Sequence, residues 1–71
     1  MRGTTKLRPG VLASLRRKSD MTQAKLAEAT GLSHGIIGFY EAGQRNPSTA
    51  ALDKIAAALD VLPEDLTEVE A

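Results

Sequence analysis

The sequence predicts an all-α domain of five short helices, and three observations carry that reading. Residues 22–40, TQAKLAEATGLSHGIIGFY, read as two short capped helices on either side of a glycine turn. Downstream, Leu52, Ile55, Ala56 and Leu59 recur at the spacing that lines one face of a helix. No segment alternates with the period of two that a half-buried strand requires, and no repeat or low-complexity tract interrupts the chain.

Taken in order, Met1 to Arg8 has no apolar periodicity and reads as a flexible basic arm, leaving 9–69 as the folded domain. Pro9 suits a helix start, where its missing amide would be unsatisfied anyway. Val11, Leu12 and Leu15 then form an apolar stripe. Arg16, Arg17 and Lys18 occupy the last turn, favourable for the helix dipole. Ser19 and Asp20 break the pattern, and Met21 falls where a hydrophobic staple precedes a helix.

Thr22 is a good N-cap for the second helix. Leu26 and Ala27 lie on its inner side, and Gly31 ends it, because the reversal needs a left-handed backbone that glycine adopts without strain. Ser33 caps the third helix, whose inner face is Ile37 and Tyr40. Two helices this short should cross steeply, with Ala27 as the small residue at the contact. Ala42 and Gly43 close the third helix, Gln44 to Pro47 form a polar loop, and Ser48 caps the fourth. Pro63 opens a fifth, with Glu64 and Asp65 in its first turn. The predicted core is Leu12, Leu15, Leu26, Ala27, Ile37, Tyr40, Leu52, Ile55, Ala56, Leu59, Val61 and Leu66.

Seventy-one residues support one modest core, and with no cysteine its stability must come from helix packing. No apolar run approaches the ~20 residues of a membrane span and nothing resembles a signal peptide, so a soluble cytoplasmic protein is expected. The net charge of zero conceals an asymmetry. Arg2, Lys6, Arg8, Arg16, Arg17 and Lys18 crowd the first quarter, whereas Asp60, Glu64, Asp65, Glu68 and Glu70 crowd the end. A local field depends on where charges sit, so a basic end remains available to an anionic partner.

Catalysis finds no support. The single histidine, His34, has no cysteine or second histidine with which to build a metal or nucleophile site, and the serines are taken up by capping. No catalytic residue, metal, cofactor or small-molecule ligand is expected.

Two short helices about a glycine turn have the form of a helix-turn-helix, in which one helix lies over the DNA backbone and the next enters the major groove. TQAKLAEATGLS, then Ile37, then EAGQRNP at 41–47, resembles the lambda-repressor-like helix-turn-helix family of Cro-type and phage-repressor DNA-binding domains. Leu52, IAAAL at 55–59 and Val61 are similar to that family's fourth helix. The likeness covers Leu12 to Leu66.

The resemblance implies a sequence-specific transcriptional regulator, a small phage or bacterial repressor bound to a palindromic double-stranded operator. It implies an ion pair between Arg16 and Glu41, partly buried between helices. It also implies phosphate contacts from Gln23, Arg45 and Asn46, and base reading from the outer face of the third helix. That face departs from the family habit of Gln, Arg, Ser, Lys or Asn, since it offers His34, Gly35, Gly38 and Phe39. Lys25 stands where relatives often carry a glutamate that closes a capping box with Thr22.

The candidate DNA-contacting set is therefore Gln23, Lys25, Ser33, His34, Gly35, Gly38, Phe39, Arg45 and Asn46, with Arg2, Lys6 and Arg8 from the arm. Leu62, Leu66 and Val69 are candidate contacts of a weak homodimer. The competing expectation is a protein-interaction module that docks the smooth face of the third helix and binds DNA weakly or not at all.

Overall fold

The computed structural model of the chain describes residues 6–8 and 10–67. Four α-helices follow one another: α1 (Val11–Lys18), α2 (Gln23–Thr30), α3 (His34–Ala42) and α4 (Thr49–Leu59). A three-residue 3-10 turn, Pro63–Asp65, follows. The predicted fifth helix is thus a single turn. Proline at its first position starts it, but Leu66 must drop into the core immediately afterwards, and Thr67 leaves to form an antiparallel bridge with Leu7.

Local chemistry delimits the helices as the side chains require. The Thr22, Ser33 and Ser48 hydroxyls accept hydrogen bonds from the Lys25, Ile36 and Ala51 amides at 3.0, 3.1 and 3.1 Å. Each satisfies a first-turn donor that the helix cannot. Gly31 ends α2 at φ 75°, the left-handed conformation the turn demands. Pro9 lies outside the described residues. The first helix begins at Val11 with Gly10 as its cap, two residues later than the proline suggests.

Leu12, Leu26, Ile37, Ile55 and Leu66 are the largest fully buried side chains, and Ala27, Tyr40, Leu52, Ala56 and Leu59 complete the predicted part of the core. Leu15 and Val61, expected inside, are only partly buried against it. Two polar side chains are buried, Arg16, as the family resemblance implied, and Thr30, which was not foreseen. Thr30 is satisfied at the end of α2, where its hydroxyl donates to the Leu26 carbonyl at 2.8 Å and accepts from the Leu32 amide at 3.3 Å.

The largest departure lies at the beginning of the chain. Lys6 to Arg8, expected in a free arm, are docked. Leu7 is buried in the core, its amide donates to Asn46 Oδ1 at 3.3 Å, and the Arg8 amide donates to the Leu66 carbonyl at 2.9 Å. A single apolar residue among Lys6 and Arg8 carries no periodic signal, so only the cleft it fills shows its role. Replacing Leu7 with alanine should cost about 2 kcal/mol, at the low end for a buried leucine because the site lies at the margin of the core. Urea denaturation checks this, and an arm free of the domain would give no change.

Candidate functional site

The site is built outward from one buried arginine. Arg16 reaches from α1 towards α3, where its Nε donates to Glu41 Oε2 at 2.6 Å and its Nη2 to Glu41 Oε1 at 3.2 Å. Its Nη1 donates to the Met21 carbonyl at 2.7 Å, just ahead of α2. One guanidinium therefore ties α1, the turn into α2, and the last turn of α3. The two side chains are only 10% and 8% exposed, so the pair has little water around it.

Burial pushes the Glu41 carboxyl up, but hydrogen bonds from Arg16 and Gln23 and the positive charges of Arg16 and Arg17 outweigh it, holding the group below its ordinary range. The Glu41 hydrogen bond raises Arg16 in turn, against the opposing effect of burial.

Gln23 extends this centre to the surface. Its Nε2 donates to Glu41 Oε1 at 3.0 Å, and its Oε1 lies 3.2 Å from Nε2 of His34, the first residue of α3. The network Arg16–Glu41–Gln23–His34 thus runs from the domain interior to the exposed start of α3. The resemblance implied the Arg16–Glu41 pair, but not the links from Gln23 to Glu41 and His34, which depend on the ends of two helices meeting.

The outer face of α3 is open. Gly35 is exposed, and a methyl group added there would meet nothing within 4 Å. At Gly38 it would meet only Gln23 Oε1, at 3.9 Å. Phe39 is 46% exposed, and the Arg45 guanidinium carbon stands 5.8 Å from its ring centroid, within cation–π range. Phe39 therefore packs against the loop that follows α3. Ser33 is exposed with its hydroxyl committed to the cap. Lys25 is exposed and lies 3.8 Å from Glu28, which offsets part of its charge.

Docking of residues 6–8 brings Lys6 and Arg8 to a cavity of about 240 Å³ beside the end of α3, lined also by Tyr40, Gly43 and Asn46. The Asn46 oxygen faces the Leu7 amide, so this loop residue positions the basic segment. Arg2 and Val69 lie outside the described residues. Leu66 is fully buried in its own domain and is not a surface for a second copy, whereas Leu62 is 59% exposed. Among the described residues no group of three His, Asp or Glu side chains is placed to hold a metal, and no helix is long and apolar enough to cross a membrane.

A family model described as helix-turn-helix matches residues 12–66, spanning α1 through Leu66. The chain belongs to the helix-turn-helix family. It is 43% identical over 51 residues to the control protein C.BamHI of Bacillus amyloliquefaciens, covering 72% of this chain and 63% of that one. It is 40% identical over 50 residues to the transcriptional regulator SutR of Escherichia coli K12, covering 70% of this chain and 28% of that protein. The chain thus spans less than two thirds of each of these relatives. Among solved structures, the restriction-modification controller protein C.AhdI of Aeromonas hydrophila is similar with a TM-score of 0.73 at 39% identity, covering 76% of this chain and 82% of that one. The clp gene regulator ClgR of Corynebacterium glutamicum gives 0.72 at 31% identity, covering 76% and 57%.

In this helix-turn-helix domain, truncating Glu41 to alanine leaves the Arg16 charge buried without its partner, at an expected cost of about 3 kcal/mol. Because the folded carboxyl titrates below its ordinary value of 4.5, the pair contributes fully above that pH, and its contribution is lost as pH falls through the lowered value. Wild type should therefore lose stability to acid below about pH 4.5 more steeply than Glu41→Gln. Equilibrium denaturation across pH 2–7 checks both the size and the direction.

Proposed function

We propose that the protein is a DNA-binding transcriptional regulator that lays α3 in the major groove of a double-stranded site. The observation that carries this reading is the α2–turn–α3 unit, with an open outer face on α3, within a chain whose family model match runs from residue 12 to 66. The regulatory roles of SutR, ClgR and the two controller proteins support the same assignment. No catalytic role is proposed.

Each part of the surface then has a task. Base edges meet α3 through His34 and Phe39, and the bare Gly35 and Gly38 let the helix approach closely. Gln23, at the first turn of α2, retains a second amide hydrogen for a phosphate oxygen, since only one is used by Glu41. Asn46 has its Oδ1 engaged with Leu7 and its amino group available to donate, which suits a phosphate because phosphate oxygens only accept. Lys6, Arg8 and Arg45 supply positive charge around the end of α3, where the helix has no basic residue of its own. Lys25 adds positive charge at the first turn of α2, and Ser33 presents the first turn of α3.

A palindromic operator and a weak homodimer complete the proposal, with Leu62 and Val69 as the remaining candidate contacts. Acidic residues beside them, Asp60, Glu64 and Asp65, oppose close association of two copies. The alternative is a protein-docking module, and its specific support is Phe39, exposed on α3 beside half-buried Ile36.

A shift assay against the DNA flanking the protein's own gene, at two salt concentrations, separates the two readings. DNA binding predicts a steep loss of affinity with salt, and removing Arg8 should flatten the log–log slope by about 0.9. A slope near zero in the intact protein favours the docking module. Gly35→Ala and Gly38→Ala should each raise stability by about 1 kcal/mol, as there is room for the methyl group. If α3 seats closely in the groove, both should nevertheless weaken operator binding. Thermal melts paired with titrations measure the two effects.

A further inference from the structure

The network that ends at His34 constrains more than position. Glu41 is ionised, with its carboxyl held below the ordinary range, and a carboxylate only accepts hydrogen bonds. The Gln23 atom 3.0 Å from it must therefore be the amide nitrogen, because the flipped amide would set two acceptors against each other. That orientation turns Gln23 Oε1 towards His34 Nε2 at 3.2 Å. An amide oxygen also only accepts, so Nε2 of His34 must carry hydrogen. In the neutral ring, Nδ1 is then left with a lone pair and no hydrogen.

We propose that the Arg16–Glu41 pair, acting through the Gln23 amide, holds His34 as its Nε2–H tautomer, and that His34 reads an exocyclic amino group of adenine or cytosine through Nδ1. Those amino groups are the hydrogen-bond donors that bases show in the major groove, whereas guanine and thymine offer acceptors there. The base assignment rests on the DNA-binding function proposed above; the tautomer does not. Gln23 is a positioning residue in this scheme. It acts on the base through His34, and its second amide hydrogen would join that orientation to a phosphate contact.

Arg16 is the fixed end of the chain of constraints. It fills both carboxylate oxygens of Glu41 and anchors to the Met21 carbonyl, so Glu41 cannot swing away from Gln23 without leaving the arginine unpaired. An exposed histidine on a short helix is thereby given one hydrogen-bonding polarity by a salt bridge in the interior.

His34 is the sole histidine of the sequence, so long-range proton–nitrogen NMR reads its ring without ambiguity. With the imidazole neutral, the free protein should show a single Nε2–H form. Gln23→Ala should admit the second tautomer. A wild-type ring in the Nδ1–H form, or one unchanged by Gln23→Ala, overturns the tautomer assignment.

Selection from a randomised duplex pool tests the base assignment. The intact protein should enrich adenine or cytosine at one position per half-site, and His34→Ala should relax that preference about tenfold while keeping non-specific affinity. Relaxation at no position, or no loss of affinity when the preferred adenine or cytosine is replaced by its analogue lacking the exocyclic amino group, overturns the base assignment alone. No enrichment and no salt-dependent binding by the intact protein overturns the DNA-binding function with it. The NMR result on DNA-free protein distinguishes these failures, and thermal melts establish that both variants are folded.

Discussion

The Arg16 guanidinium is the constraint on which the arrangement of this domain depends. It is the one described cation that is buried, and it contacts α3 and the turn into α2 from a position on α1. A buried ion pair is not by itself a source of large net stability, because desolvation offsets the Coulombic gain. Its effect here is directional. The geometry that satisfies Arg16 is also the geometry that sets α1, α2 and α3 against one another, and alternatives leave a charge stranded.

That constraint matters because the rest of the domain is built from short elements. Helices of eight or nine residues are not stable alone, so α1 to α3 persist through caps and through the surface each buries. The cap hydroxyls of Thr22, Ser33 and Ser48 position the helix starts, while Leu26, Ile37, Ile55 and Leu66 fill the space between. α3 bears a further cost in two glycines that contribute nothing to the core. A Cβ would meet nothing at Gly35 and only an ordinary contact with Gln23 at Gly38, so packing within the domain does not require either glycine. A surface requirement accounts for them better than a structural one, and close approach of a groove to the helix backbone is such a requirement.

The ends of the chain matter in a way that net charge does not reveal. Leu7 and Thr67 bridge, so segment 6–8, which carries Lys6 and Arg8, is brought beside the residues that follow Glu64 and Asp65. Asn46 then connects the same segment to the loop after α3. Lys6 and Arg8 are thereby held near the end of that helix, where a free arm would have spent most of its time elsewhere. A zero total charge is compatible with a basic working surface when docking decides which charges lie near it.

The sequence by itself determined the helices, their caps and the inner faces of α2, α3 and α4. Those features depend on residues within about four positions of each other, and hydroxyl caps, the Gly31 turn and helical spacing all act at that range. Only the tertiary structure decided the features that join distant positions. The docking of Leu7 against Asn46 and Thr67, the commitment of Leu66 to its own core, and the reduction of a predicted fifth helix to one turn all belong here. So does the connection of Gln23 to both Glu41 and His34. Each residue was visible in the sequence, but its hydrogen-bonding partner was chosen by how the helices packed.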